Sequence, residues 1–200
     1  MLTKPKKSLG QNFLIDKNII KKIIKIGELN HNSIVIEIGP GKGSLTKEII
    51  YQQPKKIILI EKDTNLTIFL KNFYENYPNL NIINTDILNF INDKILLRNV
   101  IVFGNLPYNI STQILAKLIT LKKWPPWYNK LILMFQKEVA DRIITKDKSG
   151  ELNRLAVLSN WRLDITKHFD ISKNCFFPKP KINSTILSFK PKKNTEFDIK

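Results

Sequence analysis

The sequence predicts an open α/β fold built on a mostly parallel sheet. Short apolar, β-branched runs at 33–38, 56–61, 81–84, 99–104 and 131–135 alternate with stretches of helical periodicity. That alternation implies βαβ units with right-handed crossovers. Several of the runs end on a glycine or a polar residue (Gly39, Glu61, Asp86, Asn105), which sets chemistry at the carboxyl ends of strands, where open α/β sheets bind ligands.

Residues 4–13 (KPKKSLGQNF) form a basic arm without periodicity. Its Gln11-Asn12-Phe13-Leu14 end sets two amides beside two hydrophobes and predicts docking onto the body. Ile19, Ile20, Ile23, Ile24 and Ile26 give an entry helix over 16–29 with Asp16 as N-cap. The first strand, 33–38, breaks at Gly39-Pro40-Gly41-Lys42-Gly43 before a helix over 44–51. The second strand, 56–61, leads into a helix from Asp63 to about Tyr77, and the third, 81–84, ends at Thr85-Asp86. The fourth strand, 99–104, precedes an amphipathic stretch at 110–121. Lys122-Lys123-Trp124-Pro125-Pro126-Trp127-Tyr128 is either a surface loop whose tryptophans cover the core edge or a substrate contact. A strand at 131–135, a helix at 137–144, a polar loop at 146–150, a helix at 152–161 and strands at 162–169 and 182–190 complete the pattern. Residues 191–200 read as a tail or the start of a linker.

Two hundred residues suffice for one substantial core. Lys plus Arg number 33 against 17 Asp plus Glu, a net charge of +16 that favours a polyanionic partner, nucleic acid first and an anionic membrane surface second. The Lys-, Asn- and Ile-rich composition weakens that argument, since genome bias alone inflates such charge. No segment approaches the ~18 apolar residues of a membrane span, and the basic N-terminus lacks the apolar core of a secretory signal, so a cytoplasmic location is expected. Cys175, His31 and His168 have no metal-ligand spacing, and no metal is expected.

Asn105-Leu106-Pro107-Tyr108 is the centre of the candidate site. Pro107 biases Leu106 toward an extended backbone and frees its carbonyl. With the Asn105 amide oxygen and the Tyr108 ring, this makes two acceptors beside a stacking face, suited to a planar group with an exocyclic NH2 such as adenine. A polar turn with Tyr108 packed on the following helix is the alternative. The Gly39–Gly43 loop is neither a P-loop nor a full dinucleotide fingerprint, but it lets a ligand approach the backbone. Glu61, about twenty residues on, is placed to hold ribose hydroxyls. Asp86 could accept from an adenine amino group. The plainer roles are a surface ion pair for Glu61 and a helix N-cap for Asp86.

In this order the features resemble a Rossmann-like class I S-adenosylmethionine-dependent methyltransferase, with a mostly parallel seven-stranded sheet and helices on both faces. Leu9-Gly10-Gln11-Asn12-Phe13-Leu14, Glu37-Ile38-Gly39-Pro40-Gly41, GNLPYNIST at 104–112, Gln136-Lys137-Glu138-Val139 and Phe176-Phe177-Pro178-Lys179-Pro180-Lys181 are similar to the ribosomal RNA adenine dimethyltransferase family, and within it to the small-subunit (16S) branch. The resemblance implies S-adenosyl-L-methionine as cofactor, held by Asn12, Leu14, Gly39, Gly41, Glu61, Asp86 and Asn105. It implies catalysis at Asn105, Leu106, Pro107 and Tyr108, with Tyr108 and Phe176 stacking on the target adenine. The partner would be small-subunit rRNA in an assembling subunit, and a monomer is expected. Asn153 stands where the family usually has glycine, and the family's helical C-terminal domain is expected to be absent from these residues. The expected organisation is a methyltransferase domain over 1–190, arm included, and a tail or linker start over 191–200. The rival functions are a non-catalytic RNA- or DNA-binding factor on the same fold and methylation of large-subunit rRNA or DNA adenine.

Overall fold

The computed structural model describes residues 5–6, 10–145 and 154–193. The polar loop at 146–150, Asn153 and most of the tail lie outside the described residues. In chain order the elements are β1 (Phe13–Leu14), α1 (Lys17–Gly27), β2 (Ile34–Ile38), α2 (Ser44–Tyr51), β3 (Lys56–Glu61), α3 (Thr64–Phe73), β4 (Leu80–Asn84), α4 (Ile87–Phe90), β5 (Val100–Gly104), α5 (Ser111–Ile119), β6 (Tyr128–Gln136), α6 (Lys137–Ile144), α7 (Arg154–Arg162), β7 (Leu163–Ile171), β8 (Phe176–Phe177) and β9 (Ser184–Pro191).

Seven strands form one sheet in the order β4-β3-β2-β5-β6-β9-β7. The first five pair in parallel, and β9 runs antiparallel to both β6 and β7. Alternation of side chains sorts the strand residues into two apolar layers. Val35, Ile57, Leu59, Ile101, Phe103 and Ile132 face α1, α2 and α3. Ile36, Ile58, Val102, Leu131 and Leu133 face α4, α5, α6 and α7. The expected sheet with helices on both faces is the one observed.

Several local outcomes differ from expectation. The helix predicted to reach Tyr77 stops at Phe73, because the Tyr74 ring turns into the core at 6% exposure, with its hydroxyl 3.4 Å from the Gly43 carbonyl. The strand expected at 131–135 is longer, since its early residues pair with β5 and its late ones with β9. Trp127 is buried and Trp124 stacks against the Arg162 guanidinium, so these tryptophans cover the core edge. The arm does dock: β1 pairs antiparallel with β8, Phe13 opposite Phe177 and Leu14 opposite Phe176.

Candidate active site

Parallel register aligns the functional strand ends. Ile38 lies beside Ile60 on one side and Gly104 on the other, so Gly39, Glu61 and Asn105 leave the sheet at the same edge. The chain order reverses between β2 and β5, and such a switch point opens a crevice. The crevice here is a cavity of about 190 Å³. Its walls include Asn12 and Leu14 from the arm, Gly39 and Gly41, Glu61, Asp86, and Asn105, Leu106, Pro107 and Tyr108.

The glycine loop needs its glycines for two reasons. Gly39 has φ +64, and an added Cβ would meet nothing nearer than the Asn105 carbonyl oxygen at 4.0 Å, which leaves room for a ligand. Gly41 has φ +59 and a Cβ there would stand 2.8 Å from the Phe13 ring, so glycine lets the arm lie on the loop. Lys42 sits over the same ring at 5.2 Å.

Glu61 is 6% exposed and accepts the Gly41 N–H at 3.1 Å on one oxygen and the Asp63 N–H at 2.8 Å on the other. Burial raises its pKa, with the neighbouring Asp63 charge adding to the rise and the two N–H donors opposing it. Each oxygen keeps a second lone pair for a hydroxyl donor. Asp86 does cap a helix: it accepts the Leu88 N–H at 2.9 Å and pairs with Lys62 at 2.8 Å, and that lysine bond holds its carboxyl below the usual range.

On the β5 side, Asn105 donates its amide N–H to the Asn12 carbonyl at 2.9 Å. The Pro107 carbonyl accepts from the Ile110 N–H, turning the chain into α5. The Tyr108 hydroxyl lies 2.6 Å from Ser184 Oγ on β9, which fixes the ring at the cavity wall. Phe176 departs from expectation. Its ring is 3% exposed within the apolar layer under β1 and is absent from the cavity walls, because pairing with Leu14 turns it inward; the neighbouring Phe177 is 58% exposed instead.

The chain matches the family model for ribosomal RNA adenine dimethylase over residues 2–200. The chain belongs to this family. It is 48% identical over 194 residues to ribosomal RNA small subunit methyltransferase A of Pelagibacter ubique (strain HTCC1062), covering 97% of this chain and 73% of that relative. Among solved structures, a dimethyladenosine transferase from Plasmodium falciparum superposes with TM-score 0.76 at 31% identity, covering 90% of this chain and 63% of that one. The 23S rRNA methyltransferase ErmE shares the fold at TM-score 0.78 and 24% identity, over 94% of this chain and 72% of that one. The chain thus spans about two thirds to three quarters of the relatives it matches.

Two carboxylates of this adenine dimethylase fold were not singled out by sequence. Glu37, 1% exposed on β2, accepts from the Thr46 hydroxyl at 2.6 Å, and burial pushes its pKa up to about 8. Its signal was an acid inside an otherwise apolar run. Asp63, 4% exposed, caps α3 through the Asn65 N–H and also takes Lys6 and Gln11 from the arm. Its helix-start position was legible; its arm contacts join residues more than fifty positions apart and left no local signal. Among the described residues no cluster of His, Cys, Asp or Glu could hold a metal, and no helix is long and apolar enough to cross a membrane.

Proposed function

We propose that the chain transfers methyl groups from S-adenosylmethionine to the exocyclic N6 of adenines in small-subunit ribosomal RNA, dimethylating them as a monomer in the cytoplasm while subunits assemble. The observation that carries this reading is the convergence of the glycine loop, Glu61, Asp86 and the Asn105–Tyr108 segment on one cavity at the switch point of a class I methyltransferase sheet. The relatives named for small-subunit rRNA methylation support the choice of substrate.

The residues present fit the cofactor: an open glycine turn, a buried carboxylate with free lone pairs, and a second carboxylate at the next strand end. Gly39 and Gly41 would hold the methionine portion, Glu61 the ribose, Asp86 the adenine amino group, and Asn12 and Leu14 would cover it from the arm. When bound, S-adenosylmethionine supplies a methyl group activated on a sulfonium. The nitrogen it must reach is a weak nucleophile, since its lone pair is delocalised into the ring. The Asn105 amide oxygen and the Leu106 carbonyl would accept its two N–H groups, favouring pyramidal nitrogen and aiming the lone pair. No general base is needed before attack. A paired adenine cannot enter, so the base must be unpaired or flipped, with Tyr108 replacing a stacking neighbour. Phe176, as placed, supports the arm from beneath; stacking by it would require the ring to leave the core.

The test is radiolabelled methyl transfer to small subunits lacking the modification, beside large subunits and naked DNA. Transfer to small subunits alone is expected; label only in large subunits or DNA would overturn the substrate. Asn105→Ala is expected to slow transfer about 100-fold while RNA affinity, dominated by phosphate contacts, stays nearly constant.

A further inference from the structure

The arm is tied down on both sides of the cavity. On the β3 side, Asp63 accepts Lys6 Nζ at 2.9 Å and Gln11 Nε2 at 3.1 Å. On the β5 side, the Asn12 carbonyl accepts the Asn105 amide N–H at 2.9 Å. Gln11 is joined by one peptide bond to Asn12, whose carbonyl makes that contact, so displacement at Asp63 is transmitted directly to Asn105. A carbonyl can only accept, so this contact forces the Asn105 amide to turn its NH2 toward the arm and leaves its oxygen as the remaining acceptor. Without the arm, either end of the amide could face an incoming base.

We propose that Asp63 is a positioning residue for methyl transfer: by latching Lys6 and Gln11 it holds the arm where the Asn12 carbonyl sets the orientation of the Asn105 amide. The inference rests on the function proposed above. Asp63 is suited to the task because its carboxylate is nearly fully buried while Lys6 reaches it from a partly exposed position, so the acceptor end of the latch is shielded from solvent. Burial alone would raise its carboxyl; the Lys6, Gln11 and Asn65 contacts outweigh that and hold it below the usual range, so it stays charged at neutral pH. Its second task, capping α3 through the Asn65 N–H, can be separated from the latch, since asparagine caps helices as well as aspartate.

The test pairs Asp63→Asn, which keeps the cap and removes the latch charge, with the double variant Lys6→Met/Gln11→Leu, which leaves Asp63 and α3 untouched. Each is measured for kcat and KM on small subunits, for S-adenosylhomocysteine affinity, and for amide exchange at Ile15, whose N–H is held by the Cys175 carbonyl at 2.9 Å where the arm joins the body. Both variants are expected to lower kcat about tenfold with little change in KM for RNA, to weaken S-adenosylhomocysteine several-fold, and to speed exchange at Ile15 while α3 amides keep theirs. The combined triple variant should be no worse than either alone. If both leave kcat and Ile15 exchange unchanged, the latch is refuted. Should Asp63→Asn fail to fold, the arm variant decides alone. Absence of transfer by the unsubstituted chain would refute the proposed function instead, and exchange at Ile15 with S-adenosylhomocysteine affinity would still decide whether Asp63 holds the arm.

Discussion

Glu61 gives one carboxylate oxygen to the Gly41 N–H and the other to the Asp63 N–H, so it shapes the glycine loop before any ligand arrives. Glu61→Gln replaces one acceptor oxygen by an NH2 that must face a backbone N–H. Affinity for S-adenosylhomocysteine should fall by about 1.5–3 kcal/mol in calorimetry; unchanged affinity would remove Glu61 from the cofactor site. Glu37 is buried to a different end. Its pKa of about 8 in the fold lies above the ordinary 4.5, so between those values the folded chain keeps a proton that the unfolded chain has lost. Its contribution to stability is therefore full below about pH 4.5, declines as pH rises toward 8, and is lost above. Glu37→Gln keeps an acceptor for Thr46 and cannot ionise. The variant should gain on the unsubstituted chain by about 1 kcal/mol or more between pH 5 and pH 8.5, read from urea midpoints. A constant difference across that range would mean Glu37 is ionised in the fold.

At the scale of elements, α1 owes its formation to isoleucines at helical spacing and to Asp16, whose carboxylate accepts the Asn18 and Ile19 N–H groups. Both were readable in sequence. What holds α1 against the sheet was not: Gly27 lies where an added Cβ would stand 2.5 Å from the Phe103 ring of β5. Gly27→Ala is expected to destabilise the chain by about 1–3 kcal/mol in urea unfolding, since the ring is fully buried and has little room to shift. The same division runs through the site. The glycine loop, Glu61 and the Asn105–Tyr108 segment were legible because each is a local pattern at the end of an apolar run. The β1–β8 pairing was not, because two-residue strands have no period and their partners lie over 160 positions apart. That pairing is also what turns the Phe176 ring inward in this structure, a placement that no local pattern in 176–181 signals.

For the whole molecule, the parallel half of the sheet follows from alternation and crossover rules, and the sequence carried it to the correct strands. The antiparallel end required information that no local pattern holds: β7 alternates like an edge strand, yet nothing in 163–171 says that a later segment will slip between it and β6. β9 does so, pairing with six residues of β6 from Leu131 to Gln136 and with β7 from Leu163 to Ile171. Among the described strands it is also the last to leave the ribosome during synthesis. Until it emerges, β6 and β7 each present an unpaired edge, and residues 131–135 of β6, which β9 will cover, are all apolar. A chain ended at Asn183 is expected to precipitate on expression, or to lack a cooperative urea transition, even though the cavity's wall residues are all present. Soluble, cooperatively unfolding material would show that the parallel half closes by itself. The strand that supplies Ser184 to Tyr108 also covers the apolar edge of β6, so a nascent chain acquires its fixed tyrosine only as that edge is taken out of reach of its neighbours.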